Sequence, residues 1–186
     1  RAWLLKNYNF MADNGFSPKV ISAGFTGNDP KYGYYTISVE RIDGQPLTKL
    51  GALSETQKAQ FFKLFDDMVA KGTYLMDMNA DQFMIGSVAQ GPTQAWVNDP
   101  EMVSVATPQG AIAGYWKYIQ KHENRPEIFS GDRAAQAAHI EFFAMVKDHI
   151  QNDLAPRYGV DLNTAMPRAE VVVPVAISSA AMEIPA

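Results

Sequence analysis

The period of the apolar positions changes repeatedly along this chain, and each change marks an element. Trp3, Leu4, Tyr8 and Met11 fall at near-helical spacing over residues 1–14, and Gly15 stands where that helix should stop. Lys19-Val20-Ile21-Ser22-Ala23 predicts a strand. Gly24 to Gly33 is rich in Gly, Asn, Asp and Pro and predicts a hairpin connection, with Gly24-Phe25-Thr26-Gly27 as its turn. Tyr34-Tyr35-Thr36-Ile37-Ser38-Val39-Glu40, dense in aromatic and β-branched residues, is the strongest strand pattern in the chain. Asp43-Gly44-Gln45-Pro46 then predicts a turn.

Ser54-Glu55-Thr56-Gln57 has the form of a capping box, and the helix it opens lines up Phe61, Leu64, Phe65 and Met68 on one face. Gly72 stands where a left-handed C-cap belongs. Short strands are expected at Tyr74-Leu75-Met76, Phe83-Met84-Ile85 and Ala95-Trp96-Val97, with Gly91-Pro92 turning the chain between the last two. After Pro108 the period becomes helical: Ile112, Tyr115, Trp116 and Ile119 share a face. A longer helix is expected from about Asp132 to Leu154. From Met166 onward the chain is rich in Pro, Ala and Val and reads as an extended tail, with Val171-Val172-Val173 as a candidate edge strand or partner-binding segment. The sum is an α+β protein with a mainly helical second half.

Composition narrows the choices. Hydrophobic residues make up 47% of the 186, enough for a sizeable core. Acidic and basic residues are interspersed with a net charge of −4, so no basic stripe points to nucleic acid or an anionic membrane. Cysteine is absent, which removes disulfides and thiolate chemistry. No apolar run approaches the ~20 residues of a membrane-spanning helix. The chain opens on Arg1 rather than Met, so further sequence upstream is expected.

The chemistry sits at two strand ends. Asp77 follows Tyr74-Leu75-Met76, and Asp99 follows Ala95-Trp96-Val97. A carboxylate at the first position can orient an attacking hydroxyl and take its proton. One at the second has the charge a divalent cation requires, and Gln82 offers an amide oxygen for the same ion. Either Asp is also an ordinary turn former. The ordered combination of a capped helix, Gly72, Asp77, Gln82, a Phe-Met-Ile strand and Asp99 is what points to phosphate handling.

These residues resemble the protein-kinase-like fold, whose catalytic-loop pattern is His-Arg-Asp-x-x-x-x-Asn. The corresponding run here is Leu75-Met76-Asp77-Met78-Asn79-Ala80-Asp81-Gln82. The resemblance implies a C-terminal kinase-like lobe with remnants of the N-lobe strands. Residues 1–47 would be the end of the N-lobe and the hinge, 48–165 the helical lobe, and 166–186 the tail. It implies Asp77 as catalytic base, Gln82 and Asp99 as metal holders, and Asp99-Pro100-Glu101 in place of Asp-Phe-Gly. Val39 would back the adenine pocket, with Glu40, Arg41 and Ile42 as the hinge that meets the adenine. ATP and magnesium follow as cofactors.

Where the family has His and Arg before the base, this chain has Leu75 and Met76, and Gln82 replaces Asn. Neither a Gly-rich loop nor an Ala-Pro-Glu motif is present, and the stretch between Asp99 and the next helix is short. Among kinase-like families the compressed layout is similar to small effector kinases that pathogenic bacteria inject into host cells. That narrower resemblance implies a secreted virulence effector acting in the host cytoplasm on a host protein, with a ubiquitin-charged conjugating enzyme as a conceivable partner. The expected function is therefore ATP- and magnesium-dependent phosphorylation of a protein hydroxyl. The alternatives are a catalytically inactive pseudokinase-like binding module, favoured by Gln82 and Pro100-Glu101, and a small-molecule kinase.

Of the histidines, His139 and His149 share a helix without ligand-like spacing, so structural roles are expected for them rather than metal binding. Phe61, Phe62 and Phe65 have helical period and no basic interleaving, and read as core rather than a base-stacking platform.

Overall fold

The computed structural model describes residues 2–26 and 34–164. The expected tail from Met166, with its Val171-Val172-Val173 segment, and the middle of the expected hairpin connection lie outside the described residues.

The chain begins with α1 (Ala2–Asp13), which ends at Gly15 in the left-handed region (φ 75°). Next comes an antiparallel hairpin of β1 (Val20–Thr26) and β2 (Tyr34–Val39). β1 runs further than its sequence suggests: Gly24, Phe25 and Thr26 pair with Thr36, Tyr35 and Tyr34 and are not a turn.

Asp43-Gly44-Gln45-Pro46 forms strand β3 (Ile42–Pro46), antiparallel to β5 (Phe83–Val88), which also pairs with β6 (Gln94–Val97). The turn-like composition misleads for a physical reason. Gly44 lies opposite Gly86, and a Cβ on Gly44 would stand 2.1 Å from the Ile85 carbonyl oxygen. Only glycine permits that approach. β3 is an edge strand, and Pro46 at its end needs no ladder partner for a missing N–H.

A short helix, α2 (Leu47–Leu50), leads to α3 (Glu55–Ala70), where both hydrogen bonds of the Ser54/Gln57 capping box form. α3 buries Phe61, Leu64, Phe65 and Met68 as its spacing requires, together with Val69. Phe61 is the hub, with Phe65, Phe83 and Phe142 rings at 5.8, 5.1 and 5.6 Å. Burying a side chain of that size contributes roughly 1.5–3 kcal/mol.

Gly72 (φ 67°) ends α3 and has a second duty. Its carbonyl accepts the Ala106 amide at 2.7 Å, and a Cβ there would stand 1.8 Å from the Ala106 oxygen. That approach lets β4 (Thr73–Leu75) pair with β7 (Val103–Val105), a strand not foreseen in the sequence.

The second half is helical. α4 (Pro108–His122) is capped by the Thr107 hydroxyl, and α5 (Arg133–His149) by Asp132. The expected long helix does not stop at Leu154: Ile150–Leu154 widens to a π-helix and continues as α6 (Ala155–Tyr158). Pro156 supplies the reason. It has no N–H to return to the preceding turn, and its ring needs room there. The molecule is thus mixed α and β with small sheets, two of two strands and one of three among the described residues.

Candidate active site

Two short ladders deliver the candidate residues to one place. β4 ends at Leu75, and the Met76 amide extends the β4–β7 ladder by donating to the Met102 carbonyl at 2.8 Å. Asp77 is the next residue. On the other side, β6 ends at Val97, and the Asn98 amide donates to the Gln82 carbonyl at 2.8 Å just before Asp99.

The segment between Asp77 and Gln82 is built by hydrogen bonds. Asn79 donates from Nδ2 to the Asp77 carbonyl at 3.1 Å and accepts the Asp81 amide on Oδ1 at 2.9 Å. It thereby caps the 3-10 turn Ala80–Gln82. The turn brings Gln82 Nε2 back to donate to Asp77 Oδ2 at 3.2 Å. Met78 is fully buried beneath the segment.

Gln82 therefore bridges the pair, bonding Asp77 through its side chain and leading into Asp99 through its carbonyl. Asp77 Oδ1 and Gln82 Oε1 are buried and have no hydrogen-bond partner. Asp99 receives the Tyr8 hydroxyl on Oδ1 at 2.6 Å, and Asn7 donates to the Glu101 carbonyl at 2.6 Å, so α1 grips the Asp99–Glu101 stretch at two points.

The electrostatics agree that these groups are close. Burial, reinforced by the charges of Asp99 and Glu101, pushes the Asp77 carboxyl up to about 6. Glu101 is raised first by Asp99 and then by burial. Tyr118, from α4, is pushed up to about 12 by burial and by the Asp77 charge. Tyr8 is raised well above the usual phenol range by burial and by Asp99. The charge of Asp99 thus contributes to raising both Asp77 and Glu101.

Asp77, Gln82 and Asp99 are thus brought together. Val39, Glu40, Arg41 and Ile42 lie on the crossing from the β1–β2 hairpin to β3. Glu40 donates its amide to the Lys19 carbonyl at 2.9 Å, and its carboxylate accepts the Lys19 amide at 3.2 Å. Arg41 is exposed, and Ile42 pairs with Val88.

Two residues at the site carried no sequence signal for it. Tyr8 reads only as the apolar stripe of α1. His139 reads as one histidine on a helix, yet its buried Nδ1 accepts the Ala80 amide at 3.3 Å.

His149, expected to be structural, packs its ring on Phe62 with centroids 4.1 Å apart and bonds Asp66 at 2.6 Å. Asp66, His149 and Asp153 lie close enough to hold an ion together, but Arg157 bonds both aspartates, at 2.9 Å to Asp66. The guanidinium already occupies a carboxylate oxygen of each aspartate.

No protein-family model matches the chain, and no curated protein matches it. Among solved structures it is similar to that of WaaP in complex with acyl carrier protein, at 12% identity and a TM-score of 0.40. The likeness covers 83% of this chain and 75% of that one. A similarity of that size is too slight to fix a fold or a function.

Proposed function

We propose that the protein is an ATP- and magnesium-dependent phosphotransferase with Asp77 as its base and a protein hydroxyl as acceptor. The observation that carries the reading is the convergence of Asp77, Gln82 and Asp99, with buried, unpartnered oxygens on the first two. The donor set is all oxygen, which suits a hard divalent cation. Gln82 and Asp99 would hold it, while Val39, Glu40, Arg41 and Ile42 would meet the adenine. When bound, the metal–nucleotide pair supplies the phosphoryl group and neutralises charge that these carboxylates cannot.

The chain's own residues then have separable tasks. Asp77 Oδ2 is held by the Gln82 amide, which orients the carboxylate that would take an acceptor hydroxyl's proton. An elevated pKa of about 6 leaves Asp77 mostly ionised at neutral pH and a stronger base than an exposed aspartate. Met76 and Met102, 46% and 40% exposed, flank Asp77 and Glu101. An open, adaptable apolar pair of that kind suits a protein surface better than a small polar substrate.

The second reading, an inactive binding module, is favoured by one contact: Tyr8 occupies Asp99 Oδ1. Thermal shift with ATP, with and without magnesium, followed by transfer of labelled γ-phosphate to protein, separates the two. Magnesium-dependent stabilisation with label appearing on protein supports the enzyme. Stabilisation with no label transferred, or no stabilisation by nucleotide, overturns the enzyme and leaves the binding module.

A further inference from the structure

His139 is fully buried on α5, outside the set Asp77, Gln82 and Asp99, yet it touches the loop that carries two of them. The Asn79 bonds that shape residues 77–82 are local, made between near neighbours in the chain. The His139 bond spans 59 residues and ties the loop's Ala80 amide to the helical half of the molecule. Thr48 of α2 makes a second long-range tie to the same turn, through the Asp81 carboxylate.

The direction of the His139 bond fixes its tautomer. The Ala80 N–H donates to Nδ1, so the ring proton sits on Nε2. Nε2 is buried without a hydrogen-bond partner, and Asp81 Oδ2 lies 3.7 Å away, beyond hydrogen-bonding distance. Phe129 packs on the ring at 5.0 Å and fixes its plane. Leaving that N–H unsatisfied is unfavourable. A leucine would fill the same space without it, but would offer nothing to the Ala80 amide.

We infer that His139 is a positioning residue for the proposed phosphoryl transfer: it holds the Ala80 amide, and through it the 77–82 turn, so that Gln82 meets Asp77. The inference rests on the phosphotransferase reading for its catalytic half. A displacement of the turn by an ångström would misplace both the base and the amide oxygen, and errors of that size cost up to about 100-fold in rate.

The test uses the full chain carrying His139→Asn, His139→Gln or His139→Leu. Asn places an oxygen acceptor where Nδ1 sits, Gln places its polar end at the Nε2 position, and Leu offers no acceptor. His139→Leu is expected to lower kcat for ATP-dependent transfer by roughly 10- to 100-fold with KM for ATP little changed. His139→Asn should recover most of the loss, and His139→Gln should not. Equal rates for Asn and Gln variants, or a loss confined to KM, overturn the inference.

Amide hydrogen exchange at Ala80 gives a readout independent of activity. It should be slow in wild type and His139→Asn and fast in His139→Gln, a comparison that stands even where His139→Leu does not fold. Fast exchange in wild type overturns the positioning role. A wild type that transfers no phosphate, but protects Ala80, overturns the phosphotransferase reading and leaves the positioning of the turn supported.

Discussion

Two carboxylate clusters in this molecule invite comparison. Asp66 and Asp153 face His149 and Arg157, and every charge there has a partner of the opposite sign. Burial alone would raise Asp66, but hydrogen bonds from His149 and Arg157 outweigh it and hold the carboxyl below its usual range. Asp77, Asp99 and Glu101 face one another, and Asp77 and Glu101 are both raised. The first cluster is settled by the protein itself. The second is held by hydrogen bonds from Gln82 to Asp77 and from Tyr8 to Asp99, with Asp77 and Glu101 raised. Acidic residues alone do not mark a site; the sign of the pKa displacement separates the two cases.

The largest effect expected from breaking this contrast is on activity. Asp77→Ala should reduce phosphoryl transfer by roughly 100- to 10,000-fold, the range for losing a general base. Asp66→Ala should leave the rate per folded molecule unchanged. Steady-state transfer assays on both variants, with circular dichroism to confirm folding, check the pair; equal losses would erase the distinction between the clusters.

Cation binding is the next test. Manganese, as a paramagnetic stand-in for magnesium, should bind wild type and lose about tenfold or more in affinity in Asp99→Asn, a change of roughly 1.4 kcal/mol. Binding should strengthen as pH rises through about 6, where Asp77 loses its proton. Titration followed by electron paramagnetic resonance reads both, and an ion that instead follows Asp66→Asn would place the metal in the wrong cluster.

Stability should respond in opposite directions. Asp66→Asn keeps the shape but removes the charge facing His149 and Arg157, and should destabilise by about 1–2 kcal/mol at pH 7 in urea unfolding. Because the folded pKa of Asp66 is depressed, its contribution is present above the unfolded value and is lost as pH falls through the folded one.

Asp77→Asn carries the smallest effect and the reverse sign. A carboxyl raised from 3.8 to about 6 binds more protons folded than unfolded between those values, so its ionisation weakens the fold as pH rises through that window. Removing the charge should stabilise by roughly 1 kcal/mol at pH 8, allowing for solvent screening at a half-exposed group, and by nothing at pH 3. Melting curves at the two pH values decide it.

Much of the fold was legible where local chemistry and packing agree. The capping box at Ser54, the Phe61/Leu64/Phe65/Met68 face and Gly72 all stand as their sequence suggests. The order strand, Asp77, Gln82, strand, Asp99 was also visible, because strand ends are written in short apolar runs. Asp43–Pro46 misled because a glycine chosen for close strand approach looks the same in sequence as one chosen for a turn. β7 was too short to show a period, and its pairing depends on Gly72 meeting Ala106.

What the sequence determined by itself is therefore the set of elements with strong period or caps, and the kinds of group placed at their ends. Only the tertiary structure decided which carboxylates meet, which are neutralised, and that a histidine on α5 holds the turn behind Asp77. The reason is range. Caps and periodicity are fixed by residues within a turn or two of one another, whereas charge partners and loop anchors are chosen by packing between segments far apart in the chain.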